Sequence, residues 1–579
     1  MRIATLFGLF FTAIISISRS PTAEAQDAAQ PVEPQIVDGQ LVFPPGVPRY
    51  LTETERKWLA NQPREAVRTV AVTSPPTGPI HCAAEYETME AIVLTWKTYT
   101  TIQQQMGAAI TTTGNADLYV VCDSASVQTS ANSALTSAGA NMSRVHYYIR
   151  TTDTVWVRDY GPRYIFEGDC RALVDHHYNR PRPNDDALND GFSAFKHQAF
   201  YQLGISPVQL FHGGGNYHLD ASGRSYCTRL VDNENTTPYT SNNSPFDGHQ
   251  WTETQIHDIW QTYQGVDTHF FDPFPTSIDS TQHLDMWMQV IGDNKVMISD
   301  WPNNSGSTQD VICDNAATYM ASIGYTVYRL PAFSVSGTHY TYTNVVICNN
   351  LVLLPSYTNT TVSPSNATAL ATYQSALPGY TIQQVNCQLM ITAAGAMHCI
   401  ASHVPKHRGA PGPNGGLSPT AYLKNFRGGD VLTPGNPVTI QWISDDDVSV
   451  SNVDILLSTD GGQNYDVIIA SATADDWSQG WTPPNIYAPY CRIKIVARDA
   501  LGNTGADSSP RNFTINGAAV PGDVSCDAKV TVDDVDPFVQ ALLDPSSFTG
   551  CNINAADVNG DTLIDGNDIA PFVQAVAPI

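Results

Sequence analysis

Trp156-Val157-Arg158-Asp159-Tyr160-Gly161-Pro162 is the stretch on which the reading of the fold turns, and three other places in the chain complete its chemistry. One is His283-Leu284-Asp285, inside Ser280–Met288. A His and a carboxylate two residues apart on a short strand point the same way, so both reach one bound group. The others are Tyr342-Thr343-Asn344 and Gly395-Ala396-Met397-His398-Cys399. Two carboxylates, an imidazole, an amide and a thiol suit attack on a guanidinium, which is planar, cationic and resonance-stabilised. Asp159 and Asp285 are the expected holders, since each carboxylate accepts two N–H bonds in fork geometry. Cys399 as thiolate is the expected nucleophile. His283 would protonate the leaving amine and then activate water.

The chain has 579 residues, 42% of them hydrophobic, and several domains are expected from that length. Met1-Arg2, the apolar run Ile3–Ile17 and Ala23-Glu24-Ala25 form the pattern of a secretory signal peptide over residues 1–25, cleaved before Gln26. The protein is therefore expected to be secreted. No later stretch approaches the roughly 18 apolar residues of a membrane span. A formal charge of −26 argues against a nucleic-acid surface and is compatible with attracting cationic substrates, or with solubility alone. Eleven cysteines leave at least one thiol unpaired within the monomer. Setting Cys399 aside leaves ten, which fits five disulfides or a partly reduced set.

Residues 26–75 read as a Pro- and Gln-rich arm, a pro-segment or a simple N-terminal wrap, in which Thr52-Glu53-Thr54-Glu55 is a capping box opening a short helix through Trp58 and Leu59. Residues 76–405 alternate short apolar runs with helical stretches. Ala91–Leu94, Leu118–Cys122, Leu173–Val174, Val296–Ile298, Val345–Ile347 and Leu351–Leu354 predict strands, and Ile102–Ala109, Thr252–Gln264 and Ala367–Leu377 predict helices. This is an α/β domain whose topology the sequence alone does not give. Within it His176 and His177 resemble a metal pair, but adjacent strand residues face opposite ways. No further His/Cys cluster of the domain suggests a metal, and the chemistry needs no cofactor. His398 is expected to face outward rather than to tune its neighbour. Gly213–Asn216 is expected to be scaffold.

The motifs resemble those of the bacterial peptidylarginine deiminases, a branch of the agmatine deiminase superfamily. Trp156–Pro162, Tyr178-Asn179-Arg180-Pro181-Arg182-Pro183-Asn184-Asp185, Gly213–Asn216, His283–Asp285, Tyr342–Asn344 and Cys399 carry the resemblance, in order, across about Ile80–Pro405. It implies a five-bladed α/β propeller with the site at its centre. It implies that Asp159 and Asp285 bind the guanidinium, that His283 is the acid/base, that Asn344 orients the reacting groups and that Cys399 is the nucleophile. Trp156 would wall the aliphatic stem. Arg180 and Arg182 match arginines that grip the α-carboxylate of a C-terminal arginine, a task suited to Arg. Surface ion pairs with Asp185 and Asp186 are the other reading of that pair. The expected substrates are arginine-containing peptides or proteins. Agmatine or free arginine is the first alternative, and a calcium-dependent binding protein with an inactive deiminase domain the second.

Residues 406–418 read as a Pro/Gly linker. Over 419–516, alternation at Val438, Ile440, Trp442, at Val453, Ile455, Leu457 and at Ile493, Ile495 predicts a β-sandwich, and similar family members carry an immunoglobulin-like domain there. A spacer or stabilising module is its expected role, with weak binding of a surface or glycan the lesser alternative. Residues 517–579 hold a repeat, Pro537–Ala541 recurring as Pro571–Ala575. Asp557, Asn559, Asp561, Asp565 and Asp568 occupy positions 1, 3, 5, 9 and 12 of a calcium loop, and Asp523, Ser525, Asp527, Thr531 and Asp534 fill the same places in a weaker one. The loops, each followed by a short helix, resemble a dockerin type I module, which implies Ca²⁺ and a cohesin-like docking partner. Cys526 and Cys551 are a candidate staple.

Overall fold

The computed structural model describes residues 31–62, 72–235 and 251–577, and the signal-peptide pattern lies outside them. The helix of the arm forms where its cap predicts. Thr52 and Glu55 exchange side-chain to backbone bonds, and Glu53–Ala60 follows. Every strand and helix predicted between Ala91 and Leu377 is present within a few residues. Glu253–Gln264 illustrates why: Thr252 and Gln255 box its start, Gly265 at φ +68° ends it, and Ile256, Ile259, Trp260 and Tyr263 bury one face.

The mixed α/β part repeats one motif five times. Each unit is an antiparallel pair followed by a helix and a strand parallel to the second member. Arg163–Glu167 and Cys170–Asp175 lead through Leu188–Lys196 to Ala199–Gln202. His218–Leu219 and Arg224–Thr228 lead through Glu253–Gln264 to Asp267–Phe271. Met288–Gly292 and Lys295–Asp300 lead through Thr308–Ser322 to Thr326–Pro331. Val346–Cys348 and Leu351–Ser356 lead through Asn366–Ala376 to Thr381–Asn386. In the fifth unit Ser402–Pro405, from the end of the domain, pairs with Met89–Thr95 from its start, and Thr100–Thr112 leads on to Asp117–Cys122. The ends of the domain are thus tied into one sheet.

This repetition organises the chemistry. Trp156–Tyr160, Gly213–Asn216, His283–Asp285, Tyr342–Asn344 and His398–Cys399 each fall just before the first strand of a unit. Five distant segments therefore occupy equivalent places in the architecture.

Beyond Pro405, a three-stranded and a six-stranded sheet share a core that holds Ile440, Trp442, Val453, Ile455, Leu457, Ile493 and Ile495, and Val438, also marked by alternation, is partly buried against it. The stretch before it is anchored, since His407 is buried with Nδ1 3.0 Å from Asp445, and Arg171 of the α/β part reaches the same carboxylate. In the C-terminal unit the repeat-equivalent Phe538 and Phe572 stack face to face. Cys526 and Cys551 form a disulfide, while the other nine cysteines are free and buried. Five bridges do not form, because those thiols are scattered over separate strands and helices of the core.

Candidate active site

Asp159 lies in a single helical turn, Val157–Tyr160, which Gly161 closes by donating to the Val157 carbonyl at 2.7 Å. A Cβ at Gly161 would stand 2.3 Å from that oxygen, so the turn requires glycine, and Pro162 cannot continue a helix. His283 and Asp285 are not on a strand as expected. His283 precedes the short turn Leu284–Met286, whose first N–H donates to Asn216 Oδ1 at 3.1 Å. The tight turn, rather than strand alternation, aims both side chains at one point. Cys399 lies in the turn His398–Ile400 and receives Asn344 Nδ2 at 3.2 Å. Asn344 also accepts the His398 N–H at 3.1 Å and thereby ties the two segments.

A guanidinium already stands where these groups meet, and it belongs to the chain itself. Arg49 of the arm donates Nε to Asp159 Oδ2 at 2.8 Å and Nη2 to Oδ1 at 2.6 Å. Its Nη1 and Nη2 each lie 3.0 Å from an oxygen of Asp285. Cys399 Sγ is 2.7 Å from Nη1, and His283 Nδ1 is 2.8 Å from Nη2. Asp159, His283, Asp285, Asn344, Cys399 and Arg49 are all essentially inaccessible to solvent. The sequence-predicted set is thus brought together around a peptidyl arginine.

Each group's ionisation follows from burial set against charge. Burial alone would raise the Asp159 carboxyl, but Arg49 and His283 hold it well below the usual carboxylate range. Asp285 is likewise depressed, burial being outweighed by Arg49 and His398. Burial pushes the Cys399 thiol well up, Arg49 opposes this, and Asp285 and Asp159 reinforce it. Burial and then Arg49 lower His283, which is neutral near pH 7 and accepts the Arg49 N–H through Nδ1.

The arm's backbone is held around Arg49. Trp156 Nε1 donates to the Val47 carbonyl at 2.9 Å, and the Arg49 N–H donates to Ala393 at 3.1 Å. Arg180 Nε reaches the Arg49 carbonyl at 3.4 Å. Arg182 Nη2 donates to the carbonyls of Pro48 at 2.8 Å and Tyr50 at 3.2 Å, and its Nε to Glu55 at 2.8 Å. Arg180 and Arg182 are not surface partners of Asp185 and Asp186. Asp185 instead accepts the N–H groups of Asp153 and Thr154, and Asp186 pairs with His177.

Several participants escape sequence reasoning. His398 does not face outward: it is fully buried, with Nδ1 2.8 Å from Asp285 and Nε2 2.8 Å from Glu85. Arg158 continues the chain to Glu85 at 2.6 Å. Glu85, His218 and His398 do converge, so the expected lack of a further ligand cluster is corrected, but His398 and Glu85 already serve this hydrogen-bond chain. Gly215 is more than scaffold, since a Cβ there would stand 1.8 Å from Arg49 Nη2, and its N–H donates to Asp159. His176 and His177 have separate partners, the Asp159 carbonyl and Asp186.

In the C-terminal unit, Asp523, Asp527 and Asp534 bring carboxylate oxygens within 4.8 Å of one another. Burial and then the two neighbouring acids push Asp523 up to about 7, a clustering of like charge that a hard cation would relieve. In the second loop Asp557 accepts the N–H groups of Gly560, Asp561 and Thr562, and Asp568 those of Val558, Asn559 and Asp565.

Residues 81–405 match the family model described as Porphyromonas-type peptidyl-arginine deiminase. An agmatine deiminase of Ectopseudomonas mendocina (strain ymp) is 22% identical over 301 residues, 45% of this chain and 77% of that protein. Among solved structures, an agmatine deiminase of Enterococcus faecalis is 17% identical with a TM-score of 0.48, covering 58% of this chain and 99% of that one. The C. jejuni agmatine deiminase is 17% identical with a TM-score of 0.46, covering 57% and 96%. The family model spans more than half of the chain, which therefore belongs to the Porphyromonas-type peptidyl-arginine deiminase family, deiminases acting on guanidino groups.

Proposed function

We propose that the protein hydrolyses the guanidinium of peptidyl arginine, preferably at a C-terminus, to citrulline and ammonia through a covalent adduct on Cys399. The observation that carries the reading is Arg49, an arginine within a peptide whose guanidinium is gripped by both carboxylates while Sγ lies 2.7 Å from Nη1. Asp159 and Asp285 bind the cation and fix its plane. Sulfur attacks the central carbon, with Asn344 holding Sγ. As sulfur attacks, the neutral His283 beside Nη2 takes up the proton that the thiol gives up and hands it to that nitrogen, which leaves as ammonia. The same imidazole then takes a proton from water attacking the thiouronium carbon. Citrulline leaves and the thiol is restored.

The preference for a free carboxylate rests on Arg180 and Arg182. Arg180 points at the carbonyl of the bound arginine, and Arg182 carries a carboxylate, that of Glu55. An α-carboxylate would present the same charge to this pair. Comparing kcat/KM for an arginine-terminated peptide with that for agmatine tests the reading. A higher value for the peptide is expected, and a higher value for agmatine would assign the site to small-molecule substrates.

The five repeated units are the blades of an α/β propeller in this reading, and the five site segments before their first strands form its axial site. The protein is exported by its signal segment. Its C-terminal module binds Ca²⁺ through Asp523, Asp527 and Asp534, with Ser525 and Thr531 beside them, and through the second loop, and docks onto a cohesin-like partner. The sheets of residues 419–516 are an immunoglobulin-like spacer. Chelation is expected to lower the unfolding temperature of the C-terminal module, since a ligand at 100 times its Kd stabilises by about 2.7 kcal/mol. Citrulline formation should not change, as measured side by side with calorimetry.

A further inference from the structure

Arg49 is more than a convenient marker of the guanidinium site. Building on the deiminase reading above, we propose that Arg49 is a substrate of its own chain, converted to citrulline in cis by Cys399, and that this modification releases the arm that fills the site.

The arm delivers both charges of a bound arginine. Its guanidinium lies between Asp159 and Asp285, and its Glu55 carboxylate lies on Arg182 with both side chains fully buried. Glu55 is pre-set for this task by the capping box, which spends its Oε2 on the Thr52 N–H and leaves Oε1 for Arg182. Trp156, Ala393, Arg180 and Arg182 fix the backbone from Val47 to Tyr50. While this arrangement holds, no external arginine reaches Cys399.

A purely structural ion triad would need only Arg49 and the two carboxylates. Here the same guanidinium also meets a thiol, at 2.7 Å from Nη1, and a neutral imidazole, at 2.8 Å from Nη2. The groups that would act on a foreign arginine are thus arranged on this one. The thiol gives its proton to His283 as Sγ forms a bond to Cζ, the bond from Cζ to Nη2 breaks, and His283 returns that proton to the departing ammonia. Water then forms the C–O bond as the C–S bond breaks, and the thiol regains its proton. The arginine cation and water become neutral citrulline and ammonium, the second proton of the water ending on ammonia, with no oxidant or reductant required.

The product explains the release. A ureido group is neutral, so Asp159 and Asp285 would face each other without the cation that keeps both ionised in a buried place. Arg182 would retain Glu55 until a substrate carboxylate displaced it.

The test is the mass of the peptide spanning residues 47–50, released by a protease that does not cut at arginine, from the full-length protein. Turnover of an external arginine peptide is measured in parallel. Nearly complete citrulline at position 49 is expected in the wild-type chain and none in Cys399→Ala. Cys399→Ala incubated with wild-type enzyme should keep its arginine, and Arg49→Ala should turn over the external peptide without a lag. Wild-type enzyme that converts the external peptide while Arg49 stays arginine would overturn the proposal and leave the deiminase reading intact. Citrulline appearing at Arg49 of the Cys399→Ala chain in the mixture would overturn the cis claim. Failure of Arg49→Ala to make any citrulline would instead strike the deiminase reading itself.

Discussion

Cys399→Ser is expected to lower citrulline formation by on the order of 10⁴-fold or more, because loss of the nucleophile from a covalent catalyst leaves only binding and polarisation. The substitution changes little else. Sγ is fully buried, receives Asn344 Nδ2 at 3.2 Å and lies 3.8 Å from Asp285, and a hydroxyl fits the same space. Serine fails on chemistry, since a hydroxyl in this setting has no base strong enough to ionise it. The thiol itself starts at a disadvantage. Burial and the two carboxylates hold it above its ordinary value, and only the guanidinium pulls it down. The direction of the pH dependence follows. The thiolate is the reacting form and its pKa is raised, so the rate should climb as pH rises on the alkaline side of neutrality. Cys399→Ser, measured across the same range, should show no such limb.

Asp285→Asn is expected to cut kcat/KM roughly 10²- to 10⁴-fold, the equivalent of about 3–5 kcal/mol for removing one partner of a buried ion pair. Asp285 contacts both Nη atoms of the guanidinium and also holds His398 Nδ1 at 2.8 Å. An amide of the same shape keeps one acceptor but loses the charge and turns a donor toward the cation. Part of the loss should fall on KM, because the contact is made to the bound guanidinium before any bond changes. A second readout separates this role from a structural one. The Asp285 carboxylate raises the thiol's pKa, so its removal should make Cys399 easier to alkylate at a given pH even as turnover falls. A variant slowed in both respects would point to misfolding.

Much of this was legible locally. The helix predicted over Thr252–Gln264 forms because its determinants are local, a capping box, a four-residue apolar stripe and the glycine that follows it. The strands carrying Ile440, Trp442, Ile455 and Ile495 were marked by period two, which survives because one face of each is buried. Asp159, His283, Asn344 and Cys399 could be picked out because side chains of that chemistry are placed together for few purposes. What could not be read was the geometry joining them. The five α/β units share a topology that only their strand pairings show. Alternation, which also brings residues i and i+2 to one side, predicts a strand for His283 and Asp285, whereas a tight turn places them here. His398 looked peripheral because its partners, Asp285 and Glu85, lie 113 and 313 residues away.

Arg49 was the least visible participant. In the arm it is one arginine between a proline and a tyrosine, and nothing nearby in sequence distinguishes it from a solvated surface charge. Its partners Asp159, Asp285 and Cys399 are 110, 236 and 350 residues away. Gly215 was hidden for a related reason. Its lack of a side chain matters because a guanidinium lies where a Cβ would stand, a fact of three-dimensional approach rather than of local turn chemistry.

The account stands on sulfur attack at a guanidinium held by Asp159 and Asp285, and the mass of the Cys399-bearing peptide after acid quenching during steady turnover of an arginine peptide tests it most directly. The predicted result is an adduct on Cys399 that carries the substrate, present in the wild-type chain and absent from Cys399→Ser. Citrulline formation at a wild-type rate by Cys399→Ser, or an adduct on another residue, would contradict it.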